Sequence, residues 1–330
     1  MMKLFRVIEG KTNRFATDND SSHISASQLD SALSSETKPE AVVTIGNFDG
    51  VHRGHQAILE LLVAEAKQQH AKATVVTFEP YPQEFFMKEK AAPRLSRFSE
   101  KWELLQNCGV EQLCSLKFCR RLSQMSPDEF VDEILVKLLN TKHLIIGDDF
   151  RFGRDRQGDY HFLQKSGKEK GFTVTHTPTL CDNNRRISST LIREALRSGD
   201  IAQAQRLLGH PYRLIGRVKH GDKRGRTIGF PTANVALNRR VCALSGVFAV
   251  QATTPDGKIL KGVANIGTRP TFNGENKQLE AHWFDFDGDL YGQKLKIDII
   301  AKIREEQKFA GMDALIQQIK KDCENARKFC

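Results

Sequence analysis

Along residues 41–209, short runs of β-branched and other apolar residues alternate with longer stretches in which apolar positions recur every three or four residues. Side chains repeat every second residue on a strand and every 3.6 on a helix, so this pattern predicts strands at 42–45, 74–78, 112–116, 143–147 and 172–176. Helices are predicted at 56–69, 100–108 and 127–139. The last has a start signal in Ser126-Pro127-Asp128-Glu129, which offers an N-cap, a proline at the first helical position and a capping-box glutamate. Steady alternation of strand and helix predicts a doubly wound α/β domain, a parallel sheet with helices on both faces. Ligands of such sheets gather at the carboxyl ends of the strands.

Beyond about His210 the pattern changes to strand-like stretches separated by turn residues: YRLIGRVKHG, TANVAL, GVFAVQATT, ILKGVANIG, LEAHWFDFDG and KLKIDIIAKI. Asp256-Gly257 is a hairpin signal between two of them. These stretches predict a small antiparallel β-barrel domain closed by one helix from Met312 to about Lys328. The expected division is therefore 1–209 and 210–330, and no internal repeat relates the two. Residues 11–40 are rich in Ser, Asp, Asn and Thr without an apolar period, which predicts a flexible surface insertion.

A length of 330 residues suits two such domains. The net charge of +10 and the pI near 9.2 favour anionic partners. The basic residues are scattered, and neither a helix-turn-helix nor an aromatic RNA-binding signature occurs. The expectation is phosphorylated small molecules and no nucleic acid. The seven cysteines form no Cys-x-x-Cys pair, so neither a disulfide framework nor a zinc site is expected, and free thiols point to the cytoplasm. No apolar run approaches the length of a membrane span, and the first residues lack the hydrophobic segment of a secretory signal. Oligomeric state leaves no mark in the sequence.

The chemistry concentrates in VVTIGNFDGVHRGHQAILELL, residues 42–62, where a predicted strand passes into a predicted helix. Gly46, Gly50 and Gly54 let the backbone approach a ligand closely, and the helix aims free N–H groups and its positive dipole end at the same place. His52 and His55 are spaced so that both imidazoles can face one anion. Neither needs to act as a base, because displacing pyrophosphate from the α-phosphate of ATP mainly requires stabilised charge on phosphate oxygens. No P-loop and no Gly-x-Gly-x-x-Gly fingerprint is present.

The stretch GNFDGVHRGH, residues 46–55, resembles the His-x-Gly-His signature of the nucleotidyltransferase superfamily, and in particular the bacterial FAD synthetases, which couple riboflavin kinase to FMN adenylyltransferase. The resemblance covers nearly the whole chain apart from residues 11–40. It implies catalytic roles for His52 and His55 and ATP contacts at Gly46, Phe48, Asp49 and Gly54. FEPYP, residues 78–82, resembles the family loop bordering the flavin, which implies Phe78, Pro80 and Pro82 there. In GDDFRFG, residues 147–153, Asp149 is expected near adenine or ribose, or as a turn cap. RRISSTLIR, residues 185–193, opens a helix with Ser188, Ser189 and Thr190 between Arg186 and Arg193, a set suited to a triphosphate.

In the second half, GDKRGRTIGFPTAN, residues 221–234, resembles the Pro-Thr-Ala-Asn motif of riboflavin kinases. Gly221, Gly225, Gly229 and Pro231 are expected to pass close to the phosphates of ATP. Thr232 and Asn234 alternate in a strand and supply oxygen donors of the kind that suit Mg2+. The resemblance implies Glu280 as catalytic base, whereas by residue type alone Asp285, Asp287 and Asp289 are equal candidates. Phe248 stands where relatives often carry tyrosine. The reactions implied are riboflavin plus ATP to FMN and ADP, then FMN plus ATP to FAD and pyrophosphate, both with Mg2+. A different His-x-Gly-His transferase would lack GFPTAN, and a flavin carrier would have no use for the two histidines and Glu280.

Overall fold

A computed structural model of the chain describes residues 2–8, 11–15, 38–220, 229–239, 241–271 and 274–329. They form two compact units, one of Met1–Ala92 with Trp102–Arg186 and one of Pro93–Lys101 with Ile187–Cys330.

The first unit is built on β1 (Lys3–Ile8), β2 (Lys11–Phe15), β3 (Ala41–Ile45), β4 (Lys72–Glu79), β5 (Gln112–Lys117), β6 (Thr141–Gly147) and β7 (Thr173–Thr177). They make one seven-stranded sheet in the order β2-β1-β5-β4-β3-β6-β7, parallel throughout except for β2. Every residue of β3 is buried, as expected of a central parallel strand with both faces covered. Helix α1 (Arg53–Gln68) buries Leu59, Leu62 and Ala66, the apolar stripe that its sequence period predicted. Helix α2 (Pro82–Met87) follows β4, and α3 (Phe98–Asn107) leads to β5. Ser126 and Glu129 form the expected capping box ahead of a helix that begins as α at Pro127–Phe130 and continues as a π-helix over Val131–Leu138.

The expectation for residues 11–40 needs correction. Lys11–Phe15 is a strand, paired antiparallel to β1 from Leu4↔Phe15 to Ile8↔Lys11. Pairing uses backbone groups, so a polar composition does not prevent a segment from closing a sheet edge. At the other end, Asn140 Nδ2 donates to Lys38 O at 2.8 Å and Lys38 Nζ to Lys137 O at 2.6 Å. Residues 16–37, which carry the rest of that expectation, lie outside the described residues. The sequence reading also passed over β1, which pairs with β5 in parallel.

A short hairpin, β8 (Cys181–Asp182) and β9 (Arg185–Arg186), ends the first unit's chain. In the second unit, α4 (Ser189–Ser198) and α5 (Ile201–Leu208) precede β10 (Arg213–Lys219), β11 (Ala233–Ala236), β12 (Gly246–Thr253), β13 (Ile259–Thr271), β14 (Gly274–Trp283) and β15 (Lys294–Arg304). These strands close a six-stranded antiparallel barrel in the order β10-β11-β14-β13-β12-β15. Gly257, at φ 85°, turns the expected β12–β13 hairpin. Helix α6 (Met312–Arg327) is tied on by Arg304, whose guanidinium grips both carboxylate oxygens of Asp322. One core joins Ile192, Leu196, Leu207 and Leu208 to barrel residues such as Phe248, Leu279 and Ile297. The boundary expected at 209/210 therefore falls inside this unit.

Candidate active sites

In the first unit β3 runs into a loop whose backbone is under strain. Phe48, Gly50 and Val51 have φ of 47°, 79° and 41°. For a β-branched residue such as Val51 this region costs on the order of 1–3 kcal/mol and persists only where surrounding contacts enforce it. Those contacts are present: Phe48, Asp49 and Val51 are buried, Tyr81 Oη donates to Asp49 Oδ1 at 3.3 Å, and Gln56 Nε2 donates to Val51 O at 2.8 Å. A side chain at Gly46 would press on the Phe48 ring, with its Cβ 3.1 Å away.

The loop delivers His52 as the N-cap of α1, its Nδ1 accepting the His55 backbone N–H at 3.3 Å. That bond needs the Nδ1 lone pair, so the ring proton sits on Nε2, which is then a donor. The His52 and His55 rings stack at 3.6 Å with 15° between planes, and the Phe48 ring lies 4.9 Å from His55. The first turn of α1 holds no acidic residue, so its positive end is not neutralised from within. The arrangement is a strained, buried loop that holds two imidazoles face to face at a helix N-terminus.

Phe78 is the last residue but one of β4, the Glu79–Pro80 peptide is cis, and Pro82 opens α2. Phe78, Phe85 and Phe86 all meet the Phe118 ring, with centroids 5.9, 5.4 and 5.7 Å away. Phe86 is 65% exposed, so the cluster presents an aromatic edge to solvent. The sequence reading missed Phe85, Phe86 and Phe118. The Phe-Phe pair just after FEPYP could have drawn notice, whereas Phe118 carries no local signal. Asp149 and Arg186 form an exposed ion pair at 2.8 Å. Next to them, burial works against the charge of Asp148, but bonds from its own backbone and from Thr179, with Arg186 nearby, hold its carboxyl below the usual range.

Ser188, Ser189, Thr190 and Arg193 belong to the second unit. Ser188 Oγ caps α4 by accepting the Leu191 N–H at 3.2 Å, and Arg193 Nε donates to Pro93 O at 2.6 Å.

On the barrel, Asn234 of β11 is the register partner of Glu280 of β14, which in turn partners Asn265 of β13. The neighbouring row Ala233, Ala281 and Ala264 packs with the core, so Asn234, Glu280 and Asn265 stand together on the outer face. The structure thus separates Glu280 from Asp285, Asp287 and Asp289, which lie beyond the end of β14, Asp285 being held by Arg327 at 2.9 Å. Asn265 carried no signal in the sequence, because only register brings it beside Glu280. Pro231 O accepts from His282 Nδ1 at 2.9 Å, and Thr232 immediately precedes β11. Gly229 has φ 83° with open space around it, while Gly221 and Gly225 lie outside the described residues. Phe248 is fully buried within the barrel.

Among the described residues no group of three or more His, Cys, Asp or Glu could hold a metal ion. A divalent ion here would draw on neutral oxygens, water and phosphates, and the hydroxyl of Thr232 and amide oxygen of Asn234 fit a magnesium site of that kind.

Two families match the chain, FAD synthetase over residues 34–191 and riboflavin kinase over 208–330. The bifunctional riboflavin kinase/FMN adenylyltransferase of Escherichia coli strain K12 is 48% identical over 297 residues, covering 90% of this chain and 95% of that protein. Its counterpart from Haemophilus influenzae is 46% identical, covering 87% and 93%. A crystal structure described as a macrolide-efflux protein from Streptococcus pneumoniae superposes with a TM-score of 0.76 at 31% identity, over 90% of this chain and 97% of that one. Among the described residues no helix is long and apolar enough to cross a membrane. Two family matches in tandem and close likeness over most of its length show that the chain belongs to the bifunctional riboflavin kinase/FMN adenylyltransferases, which make FMN and then FAD.

Proposed function

We propose that the two reactions are divided between two residue sets, with riboflavin phosphorylated at the outer face of the barrel and FMN adenylylated at the loop before α1. The register row Asn234–Glu280–Asn265 carries this reading, since it puts one carboxylate between neutral oxygen donors beside the Thr232 segment. Glu280 takes the proton from the ribityl 5'-hydroxyl as that oxygen attacks the γ-phosphate of ATP and ADP departs. Thr232 and Asn234 would hold magnesium, which supplies positive charge against the phosphates. Gly229 and Pro231 line the approach of ATP.

In the second reaction a phosphate oxygen of FMN attacks the α-phosphate of ATP and pyrophosphate leaves. Charge builds on phosphate oxygens, and the Nε2–H of His52, the His55 ring and the N–H groups opening α1 receive it. Gly46, Phe48, Asp49 and Gly54 shape that loop around the nucleotide. Asp149 and Arg186 are further ATP contacts, and Phe78, Pro80 and Pro82 border the flavin. The reactions belong to the cytoplasm, in keeping with the free thiols of Cys108, Cys114, Cys119, Cys181, Cys242 and Cys323.

The test is to incubate the protein with riboflavin, ATP and Mg2+ and separate the flavins. A His52→Ala/His55→Ala variant should accumulate FMN without FAD. Glu280→Gln should lose about two to four orders of magnitude in phosphorylation while still converting supplied FMN to FAD. Loss of both steps in either variant would refute the division.

A further inference from the structure

The segment Pro93–Lys101 lies within the FAD synthetase match but is part of the barrel's unit. Its side chains complete the barrel where two strands part. The β10–β11 ladder runs from Lys219↔Asn234 to Arg217↔Ala236, so its next pairs would be Gly216 with Leu237 and then Ile215 with Asn238. Asn238, at φ 47°, turns the chain away instead. Glu100 Oε1 accepts the Ile215 N–H at 3.0 Å, and Arg97 Nη1 donates to Ile215 O at 3.4 Å and to Leu237 O at 3.1 Å. These two side chains thus take the place of the missing strand.

Arg239, just past the end of β11, locks the arrangement. Its Nη2 donates to Glu100 Oε2, and its Nη1 to Arg94 O at 3.1 Å and Leu95 O at 3.3 Å. Glu100 is 4% and Arg239 6% exposed, so neither charge can turn to water if the other is removed. What they hold is a strand of only four residues, Ala233–Ala236, which contains Asn234 and follows Thr232 directly.

We propose that Glu100, acting through Arg97 and Arg239, is a positioning residue for riboflavin phosphorylation, fixing the end of β11 and with it the placement of Thr232 and Asn234 against Glu280. This rests on the reading of Thr232 and Asn234 as magnesium ligands. Glu100 itself touches neither substrate nor metal, and its effect appears in how the kinase uses magnesium.

The test uses the full chain and compares wild type with Glu100→Gln, Arg97→Met and Asn234→Ala, at a temperature where circular dichroism shows each to be folded. Phosphorylation is followed against Mg2+ and riboflavin concentration, and adenylylation of supplied FMN is followed in the same preparations. Partners that support metal ligands are typically worth about 10–100-fold, so Glu100→Gln should raise the half-saturating Mg2+ and lower kcat within that range. The KM for riboflavin and the adenylylation of FMN should not change. Arg97→Met, which loses only the bonds to Ile215 O and Leu237 O, should move the same two quantities less, and it decides the matter if Glu100→Gln does not fold. An unaltered Mg2+ requirement in the folded variant, alongside a raised one in Asn234→Ala, overturns the positioning role alone. An unaltered requirement in Asn234→Ala overturns the magnesium reading and the positioning role with it.

Discussion

His52 does two jobs that can be pulled apart. Its Nδ1 caps α1, and its Nε2–H is the donor assigned to the developing phosphate charge. His52→Ala should lose the cap, worth ~1 kcal/mol, together with FAD synthesis. His52→Asn should restore the cap but not the synthesis, because a shorter amide can accept the helix N–H without reaching the phosphate. Denaturant midpoints and FAD formation measured on both variants check this, and full FAD synthesis in His52→Asn would reduce His52 to a structural role. His52 and His55 were legible in the sequence because loop, glycines and helix start are contiguous there. Glu280 was not legible without a family likeness. Nothing within a few residues distinguishes it from the aspartates that follow, and the distinction is one of register across β11, β14 and β13.

At the level of elements, periodicity found the strands β3 to β7 and failed at the edge formed by β1 and β2. The strands from β3 to β6 are buried for most of their length, so their composition announces them. β2 reads as polar loop, and becomes a strand because β1 leaves an edge of unpaired backbone groups beside it. Deleting residues 12–15 should therefore lower the melting temperature, with both activities retained below it, since the site residues lie elsewhere. A melting temperature equal to that of the intact chain would mean that the β1–β2 pairing contributes nothing. The Ser126-Pro127-Asp128-Glu129 start signal was sound, but the π-winding that follows it was invisible, because a wider turn leaves much the same apolar spacing as an α-helix over so short a run.

For the whole molecule, the change of pattern near His210 marks where the barrel strands begin, not where the barrel's unit begins. That unit draws Leu191, Ile192, Leu196, Leu207 and Leu208 into the barrel core and takes Glu100 as the partner of Arg239. A fragment of residues 209–330 would expose that core, whereas Glu100 is missing from it and from residues 187–330 alike. It should be markedly less stable than residues 187–330, which keep α4 and α5. Whatever activity either fragment has should stop at FMN, because His52 and His55 are absent. Urea unfolding of the two fragments, with flavin analysis, checks this. Equal midpoints would show that α4 and α5 add nothing to the barrel.

The sequence by itself determined the alternation of strand and helix from β3 onward, the two architectures, the histidine loop and the Pro-Thr-Ala-Asn strand. Each of these is written in residues close together, where the spacing of apolar positions, glycines and caps acts directly on the local backbone. Only the tertiary structure decided which carboxylate stands beside Asn234, how Phe118 joins Phe85 and Phe86, and that Arg239 finds Glu100 across 139 positions of chain. Such pairings follow from strand register and from the cost of burying a charge alone, and both are settled by what folding brings together.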